Sequence, residues 1–215
     1  MDVNEALSTR YSARAFLPKP VDSDVIRTVL KAAERTPSWA NTQPWDVFVA
    51  SGESLERIRK GFAACHEQGM KPETEFSLPG VWSETAKQCM QELMSSQREG
   101  ELSESFKDFV SLNHTFFNAP MVIFLCLDEV LSPWSLYDLG AYSQSVMLSA
   151  TEQGLDTIPA INLVWFPQVI REELRIPENL KIAIGIAVGY ADPSHGINAF
   201  RSSRRAFDDA VRFFE

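Results

Sequence analysis

Residues 121–127 read Met-Val-Ile-Phe-Leu-Cys-Leu, an apolar run with no polar residue at alternate positions. A strand with one face in water alternates apolar and polar side chains, so this one must be covered on both faces. A second run, Ile-Ala-Ile-Gly-Ile-Ala-Val-Gly-Tyr from residue 182, has the same character. Two such strands call for a central sheet flanked by helices. Neither apolar run is long enough to cross a bilayer.

The helices can be read from apolar spacing. Asp2–Ser8 places Val3, Ala6 and Leu7 on one face. Ser23 is predicted to cap a helix running to about Arg35, with Val25, Ile26, Val29, Leu30 and Ala33 as its stripe. Trp45–Ala50 reads as a strand closed by Ser51-Gly52, followed by a helix carrying Leu55, Ile58 and Phe62. Pro133 precedes a long helix that ends at Gly154. Thr157–Asn162 is a short extended piece, and a helix around Gln168–Leu174 leads to a strand at Lys181–Tyr190.

Residues from about 61 to 114 are the least legible. They contain a loop-like stretch, Lys71–Gly80, and a helix at Ser83–Gln97 capped by Ser83. Met90 and Met94, one turn apart, read as core or interface filler. With no linker and no repeat, the expectation is one α+β domain, residues 1–215, with a helical excursion at about 61–114.

Charge and motif content narrow the function. A net charge of -9 argues against a general nucleic-acid binder or a protein held on an anionic membrane. Three cysteines without a Cys-x-x-Cys pair, and a start lacking the basic-then-apolar order of a signal peptide, suggest a reducing cytoplasm. Gly185 and Gly189 do not form a Rossmann turn, and neither a P-loop nor a Gly-x-Ser-x-Gly elbow is present. His66, His114 and His195 are scattered without metal-ligand spacing, so surface or core roles are expected and no metal. Asp138 and Glu152 lie on the long helix without an obvious partner. No acid–base pair is nominated, which suits a redox protein whose cofactor carries the chemistry.

Two features point to a site. Arg10-Tyr11-Ser12-Ala13-Arg14, if extended, places Arg10, Ser12 and Arg14 on one side. Arg201, Arg204 and Arg205 lie near the other end, and chain ends often meet. Arginine pairs brought together would make a dianion site, because guanidinium forks match phosphate oxygens; otherwise they are solvated surface residues. The second feature is Pro37-Ser-Trp-Ala-Asn-Thr-Gln-Pro-Trp45, a connection carrying two tryptophans and two prolines. It is either a tryptophan-anchored turn over the core or a stiff wall for a flat, polar-edged heteroaromatic ligand.

Together these pieces resemble the nitroreductase family of FMN-dependent homodimeric flavoproteins. The resemblance rests on Arg10-x-Ser12-x-Arg14, on Pro-Ser-x-x-Asn-x-Gln-Pro-Trp at 37–45 and on Gly154-Leu-x-x-x-Pro159. The fourth motif is Gly-Tyr190 followed by Asn198-x-x-Arg201-x-x-Arg204-Arg205. It implies an intertwined homodimer built on a central mixed sheet, with flavin sites at the subunit interface. It further implies that Arg10, Tyr11, Ser12 and Arg14 contact the phosphate, ribityl chain and pyrimidine edge, and that Arg204 and Arg201 complete the phosphate site. Pro37, Ser38, Trp39, Ala40 and Asn41 would reach the other subunit's flavin. Pro159, Ala160, Ile161 and Asn162 would border flavin N5, and Gln144 would touch the ring edge. No side chain is nominated as catalytic: N5 carries the hydride, assisted by Arg14 and the Ile161 backbone. The implied reaction is ping-pong transfer from NAD(P)H to a small aromatic acceptor such as a nitroarene or quinone. Same-fold alternatives are reductive dehalogenation, flavin reduction, flavin cleavage or a non-catalytic flavin-binding module. The Ile161-Asn162 pair departs from the Glu-Gly of the enteric branch, which leaves substrate class open.

Overall fold

The computed structural model describes residues 1–130 and 132–214. In chain order the elements are α1 (Val3–Thr9), α2 (Ser23–Ala33), β1 (Asp46–Ser51), α3 (Gly52–Glu67), α4 (Glu84–Ser96), α5 (Gly100–Ser105) and α6 (Phe109–His114). They continue with β2 (Met121–Asp128), α7 (Pro133–Glu152), β3 (Asp156–Ala160), α8 (Pro167–Leu174), β4 (Leu180–Gly189) and α9 (Phe207–Ala210).

The strands form one sheet in the order β1-β2-β4-β3, with every neighbouring pair antiparallel. Among the described residues, a parallel element enters only as a bridge between Ser12 and Thr157. The two apolar runs are the central strands, β2 and β4, in register at Ile123–Ile186 and Phe124–Gly185. Alternation along β2 divides its side chains between two cores. Val122, Phe124 and Cys126 pack with Phe62, Phe166 and Ile170 of the α3 and α8 side. Ile123, Leu125 and Leu127 pack with Ile26, Val29, Leu139 and Val146 of α2 and α7. Each large side chain so buried contributes about 2 kcal/mol, which is why neither face can carry polar residues.

The ends of the elements follow local chemistry. Asp22, not Ser23, caps α2, its Oδ1 accepting the Asp24 N–H at 2.8 Å. A carboxylate preceding a hydroxyl competes for the same amides and carries the stronger, charged acceptor. Ser83 caps α4 as expected, and Gly154 takes the left-handed conformation (φ 72°) just beyond α7.

Two details stand out in the 61–114 stretch. Helix α3 continues through Gly61 to Glu67, because the missing Cβ lets it press on α8: a methyl there would lie 2.4 Å from Val169 Cγ1. Helix α4 buries no residue; Met94 is exposed and Met90 only partly covered, so neither is core in this chain. Glu75 anchors the intervening loop, its Oε1 receiving Arg171 Nε and Nη2 at 2.8 and 2.7 Å.

Candidate functional site

Beyond α1 the chain runs extended beside β3, with Ala13 N–H donating to Thr157 O at 3.1 Å. This conformation turns Ala13 and Ala15 into the core and leaves Arg10, Ser12 and Arg14 facing outward. The C-terminal arm reaches the same place through Asn198. Its buried Oδ1 accepts from Arg14 N–H at 2.8 Å and Ala15 N–H at 3.3 Å, and its Nδ2 donates to Ala15 O at 2.7 Å and Asp192 O at 2.9 Å. One side chain thus satisfies four backbone groups and ties both ends of the chain together. Sequence reasoning placed Asn198 in a motif but gave it no role.

The two ends enclose a cavity of about 380 Å³, walled by Arg10, Tyr11, Ser12 and Arg14 from one side and Phe200, Arg201, Ser202 and Arg204 from the other. The Arg201 guanidinium lies 3.6 Å from the Tyr11 ring centre, and that of Arg14 lies 5.2 Å from the Phe200 ring. Among the described residues, none of these four arginines takes part in a salt bridge. Burial first, and Arg204 second, hold the Arg10 pKa below its ordinary value; burial and Arg201 do the same to Arg14. Burial also raises the Tyr11 phenol, with Asp156 adding to the shift and Arg201 opposing it. Four guanidiniums that repel one another around a hydroxyl-bearing cavity form a donor set for a dianion such as a phosphate ester. Arg10 and Arg14 are partly buried, whereas Arg201 and Arg204 are exposed.

Arg205 lines two neighbouring cavities, of about 270 and 370 Å³, with Arg204 and with Cys89 and Glu92 of α4. Lys19 lies over the Tyr190 ring at 3.8 Å.

The other nominated residues do not line the arginine cavity. Pro37, Ser38 and Trp39 border a separate groove of about 320 Å³ shared with Trp134, Tyr137 and Asp138 of α7. Trp39 is 71 % exposed, whereas Pro44 is buried and Trp45 stacks on Tyr142 with centroids 4.6 Å apart. The loop is therefore anchored at its far end and presents its middle to the outside. Ala40, Asn41 and Gln43 all have positive φ (49°, 57° and 46°), a conformation that costs non-glycine residues about 1 kcal/mol or more each.

Pro159 and Ala160 end β3, and Ile161–Val164 turn in a short 3₁₀ segment with Ile161 exposed and Asn162 buried. Asn162 Nδ2 donates to Asn113 O at 3.1 Å. Gly185 makes this turn possible: a Cβ there would sit 2.6 Å from Leu163 Cβ. Gln144 is half-buried on α7.

His66 and His114, read as scattered, stack with centroids 4.2 Å apart, because α3 and α6 pack together. No group of three or more His, Cys, Asp and Glu able to hold a metal occurs among the described residues. Likewise, no described helix is long and apolar enough to cross a membrane.

Residues 7–190 match the Nitroreductase family. The chain belongs to the nitroreductase family. The chloronitrobenzene nitroreductase of Comamonas testosteroni is 27% identical, covering 98% of this chain and 96% of its own. The 4-nitrobenzoate reductase of Pseudomonas putida is 28% identical over 99% of this chain and 95% of its own. Among solved structures, the FMN-dependent nitroreductase NfnB of Mycobacterium smegmatis, in complex with NADPH, superposes with a TM-score of 0.89 at 26% identity, covering all of both chains. The α+β nitroreductase-like fold expected from the sequence is thus the one adopted.

Proposed function

We propose that this chain is an FMN-dependent oxidoreductase that takes hydride from NADH or NADPH and passes electrons, in separate half-reactions, to a nitroaromatic, a quinone or a similar flat electrophile. The arginine cavity carries the reading. It is a preformed anion site assembled from both chain ends, its charge unneutralised by salt bridges among the described residues. Phosphate and ribityl oxygens fit its guanidiniums and the Ser12 hydroxyl. The Tyr11 and Phe200 rings keep the cationic groups in place by stacking.

Bound FMN would supply a ring that accepts hydride and returns electrons. Arg10, Arg201 and Arg204 would hold the phosphate, and Arg14 would set positive charge along the pyrimidine edge, where reduction places negative charge. Ile161, exposed at the end of β3, would offer its backbone N–H at the ring, with Pro159, Ala160 and Asn162 shaping that border. Gln144 would meet the ring edge from α7.

Pro37–Asn41 would serve the second protomer of a homodimer. That assignment is supported by the loop's separation from the arginine cavity of its own chain and by the exposed rings of Trp39, Trp134 and Tyr137 around it. Nitroarenes as acceptors are supported by the similarity to enzymes named for chloronitrobenzene and 4-nitrobenzoate. A cytoplasmic setting, one domain with a helical excursion, and no side-chain catalyst complete the reading.

The test is spectroscopic. Purified protein should be yellow, bleach anaerobically with NADH or NADPH, and recolour on adding a nitroarene. Protein that stays colourless after incubation with excess FMN would sink the proposal.

A further inference from the structure

The segment from Thr36 to Trp45 is docked on one face of α7 by three side chains at i, i+4 and i+7. Asp138 Oδ2 accepts the Trp39 N–H at 3.0 Å, Tyr142 stacks on Trp45, and Ser145 Oγ receives the Thr36 hydroxyl at 2.8 Å. Tyr142 and Ser145 hold the two ends of the segment, whereas Asp138 reaches its middle. Between those ends the backbone is left-handed at Ala40, Asn41 and Gln43, and only asparagine among them adopts that region readily. Conformations of this kind persist where the surroundings over-determine them. The internal bond from Gln43 N–H to Ser38 Oγ, 2.9 Å, closes the loop on itself but does not tie it to the fold.

Asp138 is itself unusual. It is 5% exposed, and no cation within salt-bridge distance accompanies it among the described residues. Burying a carboxylate without a cation works against folding, and α7 needs no acid there for packing. What the carboxylate does is accept one amide of the loop.

We propose that Asp138 is a positioning residue: its carboxylate fixes the Trp39 amide and thereby sets the left-handed turn that presents Pro37–Asn41. The inference rests on the reading that this loop serves a flavin site. Asp138→Asn keeps an acceptor in place; Asp138→Ala removes it. In the flavin-free protein, amide hydrogen exchange across residues 37–43 should accelerate roughly tenfold in Asp138→Ala and stay near wild type in Asp138→Asn, the loss expected for one buried hydrogen bond. The FMN dissociation constant, from flavin fluorescence, should follow the same order. Should the alanine variant fail to fold, Asp138→Ser takes its place, polar but too short to reach the amide. Unchanged exchange in a folded Asp138→Ala protein, or an asparagine variant as defective as alanine, overturns the proposal. Faster exchange with undiminished FMN affinity upholds the positioning and instead refutes the loop's place at the flavin.

Discussion

Arg10→Met should stabilise the flavin-free protein while weakening its hold on FMN, two effects of opposite sign from one substitution. Burial and the nearby Arg204 both lower the Arg10 pKa, and no hydrogen bond to its side chain opposes them. A guanidinium stays protonated near neutral pH even so. A base whose folded-state pKa lies below its unfolded value has its charged form disfavoured by folding, so at neutral pH this charge works against stability. Treated as a sphere, the 380 Å³ cavity is roughly 9 Å across. Two unit charges at that separation repel by about 2 kcal/mol at an effective dielectric constant near 20, and by about 0.6 kcal/mol once physiological salt screens them. Methionine keeps the stem's packing and removes the charge, so the melting temperature of the flavin-free protein should rise by about 1–2 °C.

The same change removes a charge-assisted contact to phosphate worth roughly 1.5–3 kcal/mol, so the FMN dissociation constant should rise about ten- to a hundredfold. Calorimetric melts and fluorescence titrations on the same preparations measure both. Adding about 0.5 M KCl should shrink the stability gain, since screening already weakens the repulsion it relieves. A melting temperature that falls, with FMN affinity unchanged, would mean Arg10 is a structural residue and the cavity is not a phosphate grip.

Three further outcomes are expected. Arg171→Ala strands Glu75, and since both groups are about one-fifth exposed the cost should be about 2–3 kcal/mol, read as a drop of roughly 5–10 °C in thermal unfolding. Among the described residues the buried Thr157 hydroxyl has no hydrogen-bond partner, so Thr157→Val, matched in shape, should unfold in urea at the same or a higher midpoint; a clear loss would reveal a partner for that oxygen. Burial and the stacked His114 hold the His66 pKa below its ordinary value. The stability this ring contributes is present above the unfolded value, near pH 6.5, and is lost as pH falls below it, so denaturation midpoints between about pH 7 and 5 should fall less steeply in His66→Asn.

What was legible in the sequence is what leaves a pattern in side-chain identity. The run at 121–127 announced a strand covered on both faces because alternate residues enter two different cores. Arg10, Ser12 and Arg14 could be grouped because extended backbone alternates, and the far arginines because charge of one sign needs an anion. What stayed hidden depends on backbone groups and on distant helices. The partner of Asp138 is the N–H of Trp39, and an amide present in every residue but proline carries no letter. His66 and His114 meet only through the packing of α3 and α6. Gly61 opens the stretch least legible in the sequence, yet it marks the place where α3 touches Val169. Helix α4 shows no buried stripe because, within one chain, it buries nothing.

The site divides along the same line. Its charged half comes from the two chain ends, joined by the four hydrogen bonds of Asn198. In the proposed reading its aromatic half is the Trp39 loop, which Asp138, Tyr142 and Ser145 hold. Helix α7 supports both, because α1 packs on it as well as the loop. The proposed phosphate grip and the proposed wall for a flat ring are thus both carried on one helix yet open into different cavities. In the proposed homodimer, each cavity would receive the wall of the other protomer, and the geometry of both would depend on α7. The buried carboxylate then has a reason: a loop whose ligand belongs to another chain cannot be ordered by that ligand in advance, so its own chain must hold it.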